Sequence, residues 1–279
     1  MAQKVGPTQT SRLGQLREEP ASVVRGVYLL PNLLTTAGLF CGVYSIAQTM
    51  DGTYFRAALA IIGAQFFDIL DGRVARMTNT TSRFGVEYDS LCDLVSFGVA
   101  PALLIYNWAL LPWGAWGWLA MALFVCCASL RLARYNTTVG TADPGFFAGL
   151  PVPAAAALLS AVVLMYKYIG RSGLPDKHVA LLLLTYTAAA LMVSNLPYIT
   201  GKQLRLHKRQ PLWILIVLIL ALNFLIAQYQ LVVFVVAAGY VLSGPALWVW
   251  RRLRGRPGSR RSSVDARDED DRGRRDVAG

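Results

Sequence analysis

Apolar residues fill most of this chain in blocks long enough to cross a bilayer, with short polar stretches between them. The blocks cover residues 29–50, 54–77, 84–110 and 115–136, a stretch ending near Tyr168, and then 178–196, 212–228 and 231–250. A helix rises about 1.5 Å per residue, so about 20 apolar residues cross a hydrocarbon core of about 30 Å. The pattern predicts an all-α, polytopic transmembrane protein of about eight spans. It divides the chain into an N-terminal segment 1–27, a membrane domain 28–250 and a tail 251–279.

The first segment is polar, and its stretch Arg12–Arg25 has the makings of an amphipathic surface helix interrupted by Pro20. No signal-peptide pattern is expected from it. The tail carries ten arginines and six acids among Ser, Gly and Pro, which is too polar to build a core and predicts disorder. Its proximal Arg251, Arg252, Arg254 and Arg256 suit anionic lipid headgroups.

Composition removes the soluble alternative. With 55% apolar residues, 15% charged and a mean hydropathy of +0.44, the chain is too greasy for a soluble domain of its size. Its four cysteines, Cys41, Cys92, Cys126 and Cys127, lie in apolar stretches without metal-type spacing and read as small buried residues. The net charge of +11 follows from orientation: with eight spans, 23 Lys and Arg fall on one side and 4 on the other. By the positive-inside rule, both termini face the cytosol. Nucleic acid is not an expected partner, because the basic residues accompany membrane segments.

Ionisable groups inside such segments mark a functional site by default. Here they concentrate between Asp68 and Asp93. At roughly 100° per residue, Asp68, Asp71, Gly72 and Ala75 share one face of a helix. Gly85, Asp89, Asp93 and Ser96 form a second stripe on the next segment, and Glu87 points away from it. The polar, Thr-rich stretch Met77–Arg83 between them reads as a tight turn at the membrane surface. Two antiparallel helices would therefore aim four carboxylates at one spot, on the cytosolic side.

A lone intramembrane Asp can serve as an interhelical hydrogen-bonding group. Four acids on two facing stripes exceed that need and require protons or cations to stay together. All-oxygen ligands favour Mg²⁺ or Mn²⁺, with two ions expected. Small residues at Gly72, Ala75 and Gly85 leave room for a phosphate-bearing ligand, which points to phosphoryl transfer. A divalent-cation transporter is the other class to weigh; it predicts acids at the midplane and paired internal halves, and the chain shows neither pattern.

Two further places carry candidate chemistry. Pro31-Asn32 and Thr35-Thr36 open the first span, where Asn and Thr can cap a helix or face a ligand. Arg131 and Arg134 end the fourth span on one face, where they suit either headgroups or a ligand's carboxylate or phosphate.

The stretch resembles the signature of the CDP-alcohol phosphotransferases, Asp-x2-Asp-Gly-x2-Ala-Arg-x8-Gly-x3-Asp-x3-Asp. All eight fixed positions match: Asp68, Asp71, Gly72, Ala75, Arg76, Gly85, Asp89 and Asp93. The resemblance implies a six-helix catalytic core in which Asp68, Asp71 and Asp89 hold metal and Asp93 is the general base. It implies that Gly72, Ala75 and Arg76 line the pocket for CDP and phosphate.

Leu30–Thr35, Val95–Ala102, Arg131–Asn136 and Phe146–Ala154 are further similar to bacterial integral-membrane phosphatidylserine synthases. That likeness implies CDP-diacylglycerol as donor, L-serine as acceptor and CMP as leaving group. Glycerol 3-phosphate, or an inositol phosphate, is the alternative acceptor within the class. Spans six to eight, which contain no acid, are expected to be scaffold or a homodimer surface.

Overall fold

The computed structural model describes residues 21–78, 82–138, 146–170, 177–199 and 228–253. Helix α1 (Ala21–Met50) and helix α2 (Tyr54–Thr78) form an antiparallel hairpin. The turn between them uses Gly52 at φ 73° and is tied by Thr53, whose hydroxyl donates to Gln48 Oε1 at 2.7 Å. A positive φ suits glycine, which has no Cβ to clash with the backbone. The two helices are in close contact at Gly38, where an added Cβ would lie 3.6 Å from Ala64 O.

Residues 21–27 are helical in α1 and lead into its apolar segment Leu30–Met50. Pro31 lies inside this helix, where it lacks an amide donor. The Thr35 hydroxyl uses the Pro31 carbonyl as one of its acceptors, at 3.1 Å.

Helix α3 (Arg83–Asp93) starts at Ser82, whose hydroxyl accepts from the Gly85 amide at 2.9 Å. That cap satisfies one of the donors left free at a helix start. After Asp93 the chain passes through a π-helical turn, Leu94–Val99, into α4 (Ala100–Ile105) and a second π-turn, Tyr106–Leu110. Together with a short 3-10 turn they make one apolar segment, Phe84–Trp113, that ends at Gly114 with φ 54°. The π-turns are a departure from the uniform helix that an apolar run predicts.

Helix α5 (Ala115–Thr138) leads to a three-residue strand β1 (Phe146–Ala148), and α6 (Val152–Tyr168) follows. Helix α7 (Val179–Val193) gives way to β2 (Pro197–Ile199), which pairs antiparallel with β1 so that Phe146 lies opposite Ile199. The sixth apolar block is thus a shorter helix than 178–196 predicts. Pro197 disfavours helical backbone at the residue before it, and Ser194 is already extended with ψ 160°. The last described helix is α8 (Tyr229–Leu253).

Among the described residues, four segments are long and apolar enough to cross a membrane: Leu30–Met50, Phe84–Trp113, Ala115–Thr137 and Tyr229–Trp250. Helix α2 carries the charged motif, and α6 and α7 are shorter apolar helices. The expected span 212–228, most of the N-terminal segment and most of the tail lie outside the described residues.

The core is built where α2, the α3–α4 segment, α5 and α6 meet, around Ile61, Phe97, Phe124 and Leu159, all wholly or almost wholly buried. Large apolar side chains such as Phe40, Phe66, Leu91 and Leu130 face outward, as a lipid-facing surface requires. Dense packing behind Asp93 fixes that stretch: a Cβ on Gly42 of α1 would overlap Ser96, whose hydroxyl donates to Gly38 O at 3.2 Å.

Candidate active site

The α1–α2 hairpin and α3 bring the two acidic stripes together. Carboxylate oxygens of Asp68, Asp71 and Asp89 all lie within 4.8 Å of one another. Asp93, one turn beyond Asp89, lines the same small cavity with all three, and Gly38, Cys92 and Ser96 close it from behind. Glu87 is exposed and stands outside this group, as its angular position predicts.

Individual contacts orient the acids. Asp71 is only 5% exposed and accepts from the Thr35 hydroxyl at 2.7 Å. Asp89 Oδ1 is buried with no hydrogen-bond partner among the described residues. A carboxylate oxygen buried without a donor is costly, and three carboxylates in one place repel each other. Both costs are removed by a hard cation bound among the oxygens, so these residues fit a divalent metal ion.

A wider cleft opens beside the acids. Asn32, Gly72, Ala75, Ser82 and Gly85 line it, while Thr35, Asp71 and Asp89 border both it and the inner cavity. Its bareness is due to the glycines. A Cβ on Gly72 would meet nothing nearer than Arg76 Nη2 at 3.9 Å, whereas one on Gly85 would crowd Ser82 Oγ at 3.1 Å and lie 3.5 Å from Asn32 Oδ1. Arg76 is exposed at the edge of this cleft, one turn beyond Gly72.

The structure thus gathers ten of the twelve candidate residues: Asn32, Thr35, Asp68, Asp71, Gly72, Ala75, Arg76, Gly85, Asp89 and Asp93. Arg131 and Arg134 sit apart, among the residues lining neither cavity. Arg131 is half-buried on α5 and packs under the loop before α6, with Nη1 3.1 Å from where a Gly149 Cβ would lie. Arg134 donates to Asn195 Oδ1 at 2.8 Å. Their helix is nonetheless tied to α3 next to the acids, because Asn136 Nδ2 donates to Ser90 Oγ at 2.9 Å.

Three contacts at the site were not foreseen. Ser82 caps α3 and lines the cleft; a Ser just ahead of an apolar run is a sequence signal for a helix start. The Thr36 and Tyr88 hydroxyls bond at 2.9 Å and link α1 to α3. The Asn136–Ser90 bond has no local sequence signal, since 46 residues separate the pair.

A second groove reaches Asp68 from the other side of α2. It is walled by α2, α6 and α8, and it is apolar apart from Gln65, Asp68 and Tyr240. Gln65 is fixed there by donating to Pro153 O at 2.8 Å.

Comparison with known proteins agrees with this geometry. The family profile described as CDP-alcohol phosphatidyltransferase matches residues 28–196. The chain is 38% identical over 228 residues to the CDP-diacylglycerol–serine O-phosphatidyltransferase of Helicobacter pylori, covering 81% of this chain and 94% of that protein. It is 41% identical over 139 residues to the Mycobacterium bovis protein of the same name, covering 47% and 48%. It is 36% identical over 171 residues to archaetidylserine synthase of Methanothermobacter thermautotrophicus, covering 61% and 69%. With its signature acids converged beneath an open cleft, and with relatives alike over most of its length, the chain belongs to the CDP-alcohol phosphatidyltransferase family.

Proposed function

We propose that this protein transfers the phosphatidyl group of CDP-diacylglycerol to the hydroxyl of L-serine, yielding phosphatidylserine and CMP. The observation that carries this reading is the convergence of Asp68, Asp71 and Asp89 beneath the cleft at Gly72, Ala75 and Gly85. The relatives named for a serine acceptor support the choice of alcohol.

Asp68, Asp71 and Asp89 would hold Mg²⁺ or Mn²⁺, two ions in all. When bound, the cations neutralise the diphosphate and the departing CMP. Thr35 keeps Asp71 turned toward the cavity by its hydrogen bond. Gly72, Ala75 and Gly85 admit the cytidine diphosphate because no side chain fills the cleft, and Asn32 and Arg76 flank it.

Asp93 takes the proton from the serine hydroxyl as the oxygen attacks the phosphorus that bears diacylglycerol. The new bond joins serine oxygen to that phosphorus. The bond from phosphorus to the bridging oxygen breaks, and CMP leaves with the electron pair. Arg131 and Arg134 line neither cavity, but their helix is tied to α3 through Asn136, and they are the candidate grip for the acceptor's carboxylate, which suits a guanidinium fork. The basic side of the membrane, which carries both termini and the acids, is the cytosolic one.

The test offers the purified protein CDP-diacylglycerol and Mg²⁺ or Mn²⁺, with serine, glycerol 3-phosphate or inositol phosphate in parallel, and follows CMP. Rapid CMP release with serine alone is expected. Faster release with a phosphorylated acceptor would overturn the serine assignment.

A further inference from the structure

Of the acids that converge, Asp71 is held directly by the Thr35 hydroxyl, whereas Asp89 Oδ1 is buried with no hydrogen-bond partner among the described residues. The aim of Asp89 therefore depends on the helix that carries it. Helix α3 is only 11 residues long, and the π-turn at Leu94–Val99 separates it from the anchor of Ser96 on Gly38 O. A π-turn bonds to the fifth residue rather than the fourth, so side-chain directions do not carry across it at the α-helical angle. The precision required is high. A side-chain tip about 5 Å from the helix axis moves about 1 Å when the helix rolls by roughly 12°, whereas metal–oxygen distances tolerate only about 0.2 Å.

The residues on either side of Asp89 supply the restraint. Tyr88 and Ser90 lie about 100° to its left and right around the helix. The Tyr88 hydroxyl is 2.9 Å from Thr36 Oγ1 of α1, and Thr36 donates its own proton to Asn32 O at 2.7 Å, so Tyr88 is the donor in that pair. The Tyr88 ring is backed by the Phe84 ring, 5.9 Å away at 6°. On the other flank, Ser90 Oγ accepts from Asn136 Nδ2 of α5 at 2.9 Å, and its proton has Val86 O at 3.0 Å and Asn136 Oδ1 at 3.3 Å as acceptors. Neither Tyr88 nor Ser90 lines the acidic cavity. Helices α1 and α5 thus hold α3 from opposite flanks of Asp89, and a single bond would leave the helix free to pivot on it.

We infer that Tyr88 and Ser90 are positioning residues for the metal site: their bonds to Thr36 and Asn136 fix the rotation of α3 and so aim the Asp89 carboxylate at those of Asp68 and Asp71. The closeness of the three carboxylates, within 4.8 Å of one another, is the consequence. The inference rests on the reading of these acids as a metal site.

The test uses the full-length protein in lipid nanodiscs and measures Mn²⁺ affinity and site number by electron paramagnetic resonance, well below every unfolding midpoint. It compares wild type, Tyr88→Phe, Thr36→Val, Ser90→Ala and their pairwise combinations, with Asp89→Asn as the reference for a lost ligand. Tyr88→Phe keeps the ring and removes only the donor. Each single variant is expected to weaken Mn²⁺ binding about three-fold, toward the low end for one lost hydrogen bond, with the number of sites unchanged. Tyr88→Phe with Thr36→Val should be no worse than either alone, because both break the same bond. Tyr88→Phe with Ser90→Ala should exceed the product of the single effects, because α3 then loses both restraints. Wild-type affinity in that last protein, with sites lost in Asp89→Asn, would overturn the positioning role and leave the metal site standing. Equal binding by wild type and Asp89→Asn would overturn the metal reading and the proposal together. Effects that simply multiply in every pair would show unrelated perturbations and reject the proposal.

Discussion

Thr35 on α1 donates its hydroxyl to Asp71 Oδ2 on α2 at 2.7 Å, and its neighbour Pro31 offers the same hydroxyl a second acceptor at 3.1 Å. The proline that interrupts the α1 ladder and the acid that faces the cavity are thus joined through one side chain. A hydroxyl at the first span therefore sets the rotamer of an acid 36 residues later.

Replacing Thr35 with Val removes that donor while keeping the side chain's shape. We expect weaker apparent Mn²⁺ affinity and roughly ten-fold lower kcat, in line with about 1–1.5 kcal/mol for one hydrogen bond. Thr35→Ser should restore most of both. A metal titration of CMP release checks this, and equal activation curves for Val and Thr would reject the orienting role.

Asp93 and Asp71 should separate by readout. Asp93→Asn is expected to lower turnover by about 10²–10⁴-fold, the usual worth of a general base, with metal binding retained. Asp71→Asn should weaken metal and donor binding together. Turnover and Mn²⁺ binding measured on the same preparations decide it, and full activity in either variant contradicts its role.

Two glycines should respond oppositely to substitution. At Gly42 a Cβ would overlap Ser96, so Gly42→Ala is expected to cost about 1–3 kcal/mol of stability through overpacking. At Gly72 the space is open, so Gly72→Leu should leave the unfolding midpoint close to wild type. Its side chain would occupy the cleft and raise KM for CDP-diacylglycerol by more than about ten-fold, the worth of more than about 1.4 kcal/mol. Thermal unfolding and donor kinetics for both variants test the contrast.

The acidic stripes were legible because helical periodicity is local: residues three and four apart must share a face, whatever the rest of the chain does. That sufficed to group Asp68 with Asp71, to pair Asp89 with Asp93 and to exclude Glu87. The π-turn at Leu94–Val99 was not legible, because an apolar run packs equally well in either helical form and only the contact of Ser96 with α1 distinguishes them. The β1–β2 ribbon is likewise set by partners far apart, Phe146 and Ile199, in strands too short to show alternation. Tyr198, whose ring packs where a Cβ on Gly244 would lie, follows the same rule: neither residue has a local pattern that names the other.

Metal binding at the carboxylates is the claim on which the rest depends, and Mn²⁺ electron paramagnetic resonance on the purified protein in nanodiscs measures it directly. Wild type is predicted to bind Mn²⁺ at saturable sites that Asp89→Asn loses, because Asp89 Oδ1 would no longer offer a charged ligand. CMP release should fall in step with the lost sites. Equal Mn²⁺ binding by wild type and Asp89→Asn, or CMP release that persists after chelation, would contradict the account.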